Sequence, residues 1–98
     1  MGVISVVVRM MGTLRAASGK PEASVDLPEG GDVSTVLQTL VEKFDNSFKE
    51  TLLDPVIQSP SANALIILNG VEIYNLQGLN TRLKDGDELI LLPITHGG

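Results

Sequence analysis

The chain has 98 residues, 43% of them apolar, a formal net charge of −5 at neutral pH and no cysteine. That length suits one domain with a real core and little room for a deep catalytic cleft. The composition excludes disulfide scaffolds, thiolate catalysis and side-chain persulfides, and the acidic balance opposes a nucleic-acid-binding face while suiting a partner with a basic surface.

Aromatic residues are limited to Phe44, Phe48 and Tyr74, so the core must be aliphatic. The apolar run at residues 3–8 is too short for a membrane span, and it lacks the basic start and cleavage site of a signal peptide. A cytoplasmic protein is expected, with no membrane partner and no direct contact with nucleic acid.

Residues 3–11 are rich in β-branched side chains and predict a strand. Ile4, Val6, Val8 and Met10 share its apolar, inward face, leaving Ser5, Val7, Arg9 and Met11 on the other. Residues 12–21 hold two glycines and a proline and read as a turn region. Residues 23–27 alternate cleanly, predicting a second strand that pairs with the first as a long-looped hairpin, and Pro28, Glu29, Gly30 and Gly31 stop it.

Asp32 is a good helix N-cap. Val33, Val36, Leu37, Leu40, Val41 and Phe44 then recur at helical spacing, predicting an amphipathic helix of about three turns. Residues 45–47 end it. Phe48, Leu52 and Leu53 suggest a short second helix, terminated by Asp54 and Pro55. After a Ser/Pro-containing loop at 56–63, the apolar run at 65–68 fits a central strand. Asn69 and Gly70 suit a tight hairpin turn, with a return strand at 71–73. Residues 74–83 read as irregular, anchored by Leu76, Leu79 and Leu83. Asp85 and Gly86 form another turn, and residues 88–92 the last strand.

The order β-β-α-β-β-β predicts an α+β fold of β-grasp type, a mixed sheet of four to five strands packed on one main helix. It would occupy residues 1–92, with the first and last strands as central neighbours and a flexible tail at 93–98.

Reactive groups are scarce. The single histidine, His96, lies in the tail rather than beside a nucleophile. Asp85, Asp87 and Glu88 lack calcium-loop spacing and suit a turn and a strand start. Gly30 and Gly31 precede a helix without the Lys-Ser/Thr of a phosphate loop. Zinc would need several Cys or His ligands. No catalytic residue, metal site or bound cofactor is expected.

Two features remain. The last strand is apolar on both faces, and a single helix covers only one of them. Val7, Met11, Ile90 and Leu92 would fall on the open face, either covered by irregular segments or forming a docking patch. The tail, Pro-Ile-Thr-His-Gly-Gly, reaches about 20 Å when extended. It ends on two residues without a Cβ, able to enter a narrow cleft, and on a carboxylate ionised at neutral pH. By itself it reads equally as a reagent for another protein or as a frayed end.

Several motifs carry a resemblance. Gly78-Leu79-Asn80-Thr81-Arg82-Leu83-Lys84-Asp85-Gly86-Asp87-Glu88, Leu14-Arg15 followed by Gly19, and Leu68-Asn69-Gly70 resemble the small subunit of molybdopterin synthase and its archaeal relatives. The ending Thr95-His96-Gly97-Gly98 is closer to the ubiquitin-related modifier. In order along nearly the whole chain, they make it similar to the ubiquitin-like sulfur carriers and protein modifiers. A combined sulfur carrier and modifier, which the small archaeal modifier proteins resemble, would accommodate the mixture of signatures.

The resemblance implies a co-substrate rather than an enzyme. An adenylating enzyme of the ubiquitin-activating type, supplying the site for ATP and magnesium, would admit the tail, and the Gly98 carboxylate would attack the α-phosphate of ATP. A persulfide or thiolate of a sulfurtransferase would then displace AMP, and sulfur carried on the terminal acyl carbon as a thiocarboxylate would serve tRNA thiolation or, with a molybdopterin synthase large subunit, pterin sulfuration. Alternatively a lysine of a target protein would form an isopeptide bond, with Lys20, Lys43, Lys49 and Lys84 as sites for further copies. Gly97 would permit entry to the cleft, and Thr95 and His96 would position the tail. The rival expectation is a plain binding module with an inert tail.

Overall fold

Strict alternation at the start of the chain becomes strand β1 (Val3–Met10), with Ile4, Val6, Val8 and Met10 buried and Ser5 and Arg9 exposed. The computed structural model describes residues 2–52 and 64–94. After β1 come helix α1 (Gly12–Ser18), strand β2 (Glu22–Pro28), helices α2 (Val33–Lys43) and α3 (Asn46–Leu52), and strands β3 (Ala64–Leu68), β4 (Val71–Glu72) and β5 (Glu88–Pro93). The strands form one five-stranded sheet in the order β2-β1-β5-β3-β4. β1 and β5 pair in parallel at its centre, whereas β1 with β2, β3 with β5 and β3 with β4 pair antiparallel. This is the α+β, β-grasp architecture, with the first and last strands as central neighbours as expected.

The predicted stripe of α2 covers one face of this sheet. Val33, Val36, Leu37 and Leu40 are buried in one core cluster with Val6, Val8, Ile66, Leu89 and Leu91, while Val41 and Phe44 pack at the margin. The helix starts where Asp32 Oδ1 accepts hydrogen bonds from the Thr35 amide at 3.0 Å and the Thr35 hydroxyl at 2.9 Å. These satisfy a first-turn N–H that the helix itself leaves free. Phe48 and Leu52 of α3 are fully buried, and the Phe48 ring tilts against Phe44 with centroids 5.0 Å apart. Leu53, Asp54 and Pro55, named above as the end of that helix, lie outside the described residues.

Some expectations need correction. Residues 12–21 are not a plain turn, because α1 occupies most of them. Its glycines bracket a helix instead of breaking one. Gly12 adopts φ +53° at its start, and Gly19 adopts φ +74° at its end, where its N–H caps the Arg15 carbonyl. Leu14, fully buried, fastens the short helix to the core. Second, Leu76 does not anchor residues 74–83, since it is 46% exposed. Leu79 and Leu83 do pack inward, and two turns of 3-10 helix, Ile73–Asn75 and Gly78–Asn80, give the segment its shape. The first begins at Ile73, which shortens the expected return strand to Val71–Glu72.

The stretch from 77 to 88 ties separate elements together. Thr81 is buried, and its hydroxyl donates to the Gly78 carbonyl at 2.7 Å while accepting from the Gln77 N–H at 3.1 Å. Its carbonyl accepts the Val33 N–H at the start of α2, and the Leu83 N–H donates to Gly31. Further on, Asp85 Oδ1 accepts the Ser5 N–H at 2.8 Å. Asp87 accepts from the Lys84 N–H at 2.7 Å and from the Asn69 amide at 2.9 Å. The acidic residues of this turn thus join β1, the β3–β4 hairpin and β5.

Urea denaturation of the full chain distinguishes core from cap. Phe48→Ala should cost about 3–5 kcal/mol, because a fully buried ring leaves a cavity. Asp32→Ala should cost about 1 kcal/mol, the ordinary loss of an N-cap.

Candidate functional site

The sequence singled out the end of the chain, and the structure describes the strand that leads to it. β5 is hydrogen-bonded on both flanks, to β1 from Glu88 to Leu91 and to β3 from Leu89 to Pro93. Beyond the ladder, the Val7 N–H donates to Asp87 at 3.0 Å and the Met11 N–H to Leu91 at 3.1 Å. A strand held on both sides cannot swing, so the chain leaves the sheet at a fixed place and heading. Pro93 pairs with Ala64 at the start of β3, which carries β5 one residue past the expected end of the strand. Its ring sits so close to Gly12 that a Cβ there would lie 3.0 Å from Pro93 Cγ. Ile94, half-buried, is the last described residue. Thr95, His96, Gly97 and Gly98 lie outside the described residues.

Beside this exit lies the sheet face away from α2. Parity puts Val7, Met11, Ile90 and Leu92 on it, as the sequence predicted. Val7 and Ile90 are half-buried, Met11 is 38% exposed and Leu92 39% exposed. Two further residues belong there. Leu65 stands opposite Leu92 and Ile67 opposite Ile90 in the β3–β5 register, so the apolar surface spans two central strands. The signal for them was present, since residues 65–68 are apolar on both faces just as residues 89–92 are.

The rim of the face is charged. Arg9 Nε lies 3.0 Å from Glu88 Oε2 and 3.9 Å from Glu22 Oε2. Both contacts are solvent-exposed and contribute little to stability. They place one cation between two acids at the edge of the apolar patch.

The four lysines do not gather. Lys20 follows α1, Lys43 ends α2 with its Nζ 5.9 Å from the Phe44 ring centroid, Lys49 sits on α3 and Lys84 in the turn before β5. All four are exposed. The outer side of α2 carries an open depression of about 260 Å³ lined by Ser34, Thr35, Gln38, Thr39 and Glu42. It lies across the sheet from the apolar face. Among the described residues no group of three or more His, Cys, Asp or Glu side chains is placed to hold a metal ion.

A profile of the ThiS family matches residues 8–98. Small archaeal modifier protein 3 of Haloferax volcanii is 28% identical over 91 residues, spanning 93% of this chain and 96% of its own. The solution structure of small archaeal modifier protein 1 from Methanosarcina acetivorans superposes with a TM-score of 0.83 at 31% identity, covering all of both chains. Urm1 from Trypanosoma brucei gives a TM-score of 0.77 over 100% of this chain and 99% of its own, and at 18% identity that likeness speaks for the fold alone.

The close seat of Pro93 on Gly12 makes the exit angle testable. Gly12→Ala must accept φ +53°, which costs an L-residue roughly 1–2 kcal/mol, and must push the Pro93 ring aside. Lower thermal stability is expected, with NMR shift changes concentrated at Leu92 and Ile94.

Proposed function

The chain belongs to the ThiS family, and from that premise we propose that it is a carrier whose Gly98 carboxylate is the reacting group. The observation that supports the reading most directly is the delivery of the chain end. A central strand, paired on both flanks, hands off the tail at Pro93 beside an exposed apolar face.

The chemistry assigned to the tail begins with adenylation. In an enzyme of the ubiquitin-activating type, a Gly98 carboxylate oxygen attacks the α-phosphorus of ATP. A C–O–P linkage forms, pyrophosphate leaves, and the product is an acyl-adenylate. The ATP and magnesium sites belong to that enzyme. A protein persulfide can then displace AMP to give an acyl disulfide, and a thiol cleaves its S–S bond, leaving a terminal thiocarboxylate and an ordinary disulfide. Alternatively the amine of a lysine displaces AMP, loses a proton and forms an isopeptide bond. Both routes share the adenylate, and in both this chain is a co-substrate. With no cysteine in the chain, its acyl carbon is the place where sulfur can be carried covalently.

The apolar face is assigned to docking. Val7, Met11, Leu65, Ile67, Ile90 and Leu92 would meet an apolar surface of the activating enzyme while the tail passes into its cleft. Gly97 and Gly98 supply the slimness the cleft demands, and Thr95 and His96 orient them.

Deleting Gly98 should abolish AMP-adduct formation with the activating enzyme and ATP, because the reactive carbon is misplaced; an unchanged yield of adduct would sink the proposal. Intact mass spectrometry of the protein from its own cells should show a gain of about 16 Da mapping to Gly98, as oxygen is replaced by sulfur. Methionine oxidation gives nearly the same shift, so the fragment that carries it decides. Among the described methionines, Met11 is 38% exposed and Met10 is 1% exposed.

The docking role is tested separately. Leu92→Asp should raise the KM for this protein in the adenylation assay about tenfold or more, from the loss of one buried leucine, with kcat little changed. A kcat effect at unchanged KM would place Leu92 outside the docking surface.

A further inference from the structure

The two edges of the sheet are unlike. On one side β4 is two residues long, too short to template another strand. On the other, β2 runs for seven residues, and its pairing with β1 is regular from Val3 opposite Pro28 to Arg9 opposite Glu22, with no bulge. A flat, unbulged edge strand is an open template unless something protects it.

The direction of its free groups follows from the ladder. The Glu29 N–H donates to the Gly2 carbonyl and the Met10 N–H to the Pro21 carbonyl, both at 2.9 Å. Hydrogen-bonded pairs in an antiparallel ladder recur at every second residue, so Leu27, Val25 and Ala23 also spend their backbone groups on β1. Glu22, Ser24 and Asp26 therefore point their N–H and C=O groups away from the sheet. Among the described residues none of these groups has a partner. Pro21 and Pro28 bracket the run, one before the strand and one at its last residue, and fix the usable length at about five residues.

The side chains on this edge decide what can pair with it. Glu22 and Asp26 stand on the open-face side of β2 and are exposed, with Glu29 just beyond. Lysine, the usual protection of such an edge, is absent from residues 22–28. A second copy of this chain fits badly. Antiparallel pairing of two β2 edges about Ser24 would set Glu22 of each copy against Asp26 of the other, two like-charge pairs across the strands. A basic strand in the same place gains two opposite-charge pairs instead. Arg9 offsets Glu22 only in part, since its nearer partner is Glu88 at 3.0 Å against 3.9 Å.

We propose that the outer edge of β2, from Glu22 to Asp26, is a docking rail for an extended, positively charged peptide segment of a partner protein, which adds to the sheet as a sixth strand. Main-chain hydrogen bonds from Glu22, Ser24 and Asp26 hold it. Cationic side chains four residues apart, on one face of the added strand, meet Glu22 and Asp26. The rail is separate from the apolar face and from the tail, and it requires no adenylation.

The test uses the full-length protein without ATP or any activating enzyme. The probe is a fluorescein-labelled heptapeptide alternating lysine with valine, compared with the same peptide carrying glutamate for lysine. The lysine peptide should bind, weaken with added salt, and perturb the amide signals of Glu22, Ser24 and Asp26 in a heteronuclear NMR titration. The double variant E22Q/D26N should bind it about tenfold more weakly, the scale of two cross-strand charge pairs. Ser24→Pro removes an outward N–H without touching the β1 ladder, and should lose binding while its spectrum stays folded; should it unfold, E22Q/D26N decides alone. Equal binding of the glutamate peptide, undiminished binding by E22Q/D26N, or signal changes confined to Ile67, Ile90 and Leu92 would each overturn the proposal. So would concentration-dependent dimerisation through the same three amides.

Discussion

The parallel pairing of β1 with β5 is the constraint on which the rest of the structure depends. It brings the two ends of the described chain into the middle of the sheet, where each is flanked by another strand. β2 needs β1 as its neighbour, β3 needs β5, and the stripe of α2 is buried in the core these strands share. The same pairing sets the end of β5 against the start of α1, where Pro93 rests on Gly12. A strand in the sheet centre, paired on both flanks, gives the chain a rigid mount at the point where it leaves the sheet.

Around that pairing the two faces of the sheet do different work. The inner face, with Val6, Val8, Ile66, Leu89 and Leu91, is closed by α2, with α1 and α3 completing the core through Leu14, Phe48 and Leu52. The outer face keeps apolar side chains in water at Leu65 and Leu92, where stability alone would favour polar ones. The polar ties of residues 77–88 account for a third group of residues. Thr81, Asp85 and Asp87 could be taken for reactive groups by type, yet each is occupied in holding backbone N–H groups of the fold.

How much of this could be read from the sequence depends on the range of the interaction involved. The α2 stripe and the inward face of β1 were legible because their periods are local. Parity alone placed Val7, Met11, Ile90 and Leu92 on one face once the sheet was assumed. Leu65 and Ile67 carried the same two-faced signal in residues 65–68, but which of their faces lies open emerges only from the packing of Ala64, Ile66 and Leu68 into the core. α1 escaped for a different reason. Gly12, Gly19 and Pro21 are strong local punctuation, and only the burial of Leu14 reveals that they enclose a helix. Leu76 and Leu79 look equivalent in sequence, and tertiary packing partly buries Leu79 while leaving Leu76 in solvent. The segment 78–88 showed its family resemblance openly, but its work, tying α2, β1 and the β3–β4 hairpin together, is a matter of long-range hydrogen bonds.

The hydrogen bond from Ser5 to Asp85 spans 80 residues. Until the ribosome has made β5, β1 has only β2 beside it, and a lone two-stranded hairpin is marginal in water. The sheet centre therefore closes late in synthesis, and the core beneath α2 closes with it. A chain cut off before Glu88 lacks the strand that joins β1 to β3 and completes both faces of the sheet. Completion of the sheet and closure of the core are in this sense one event.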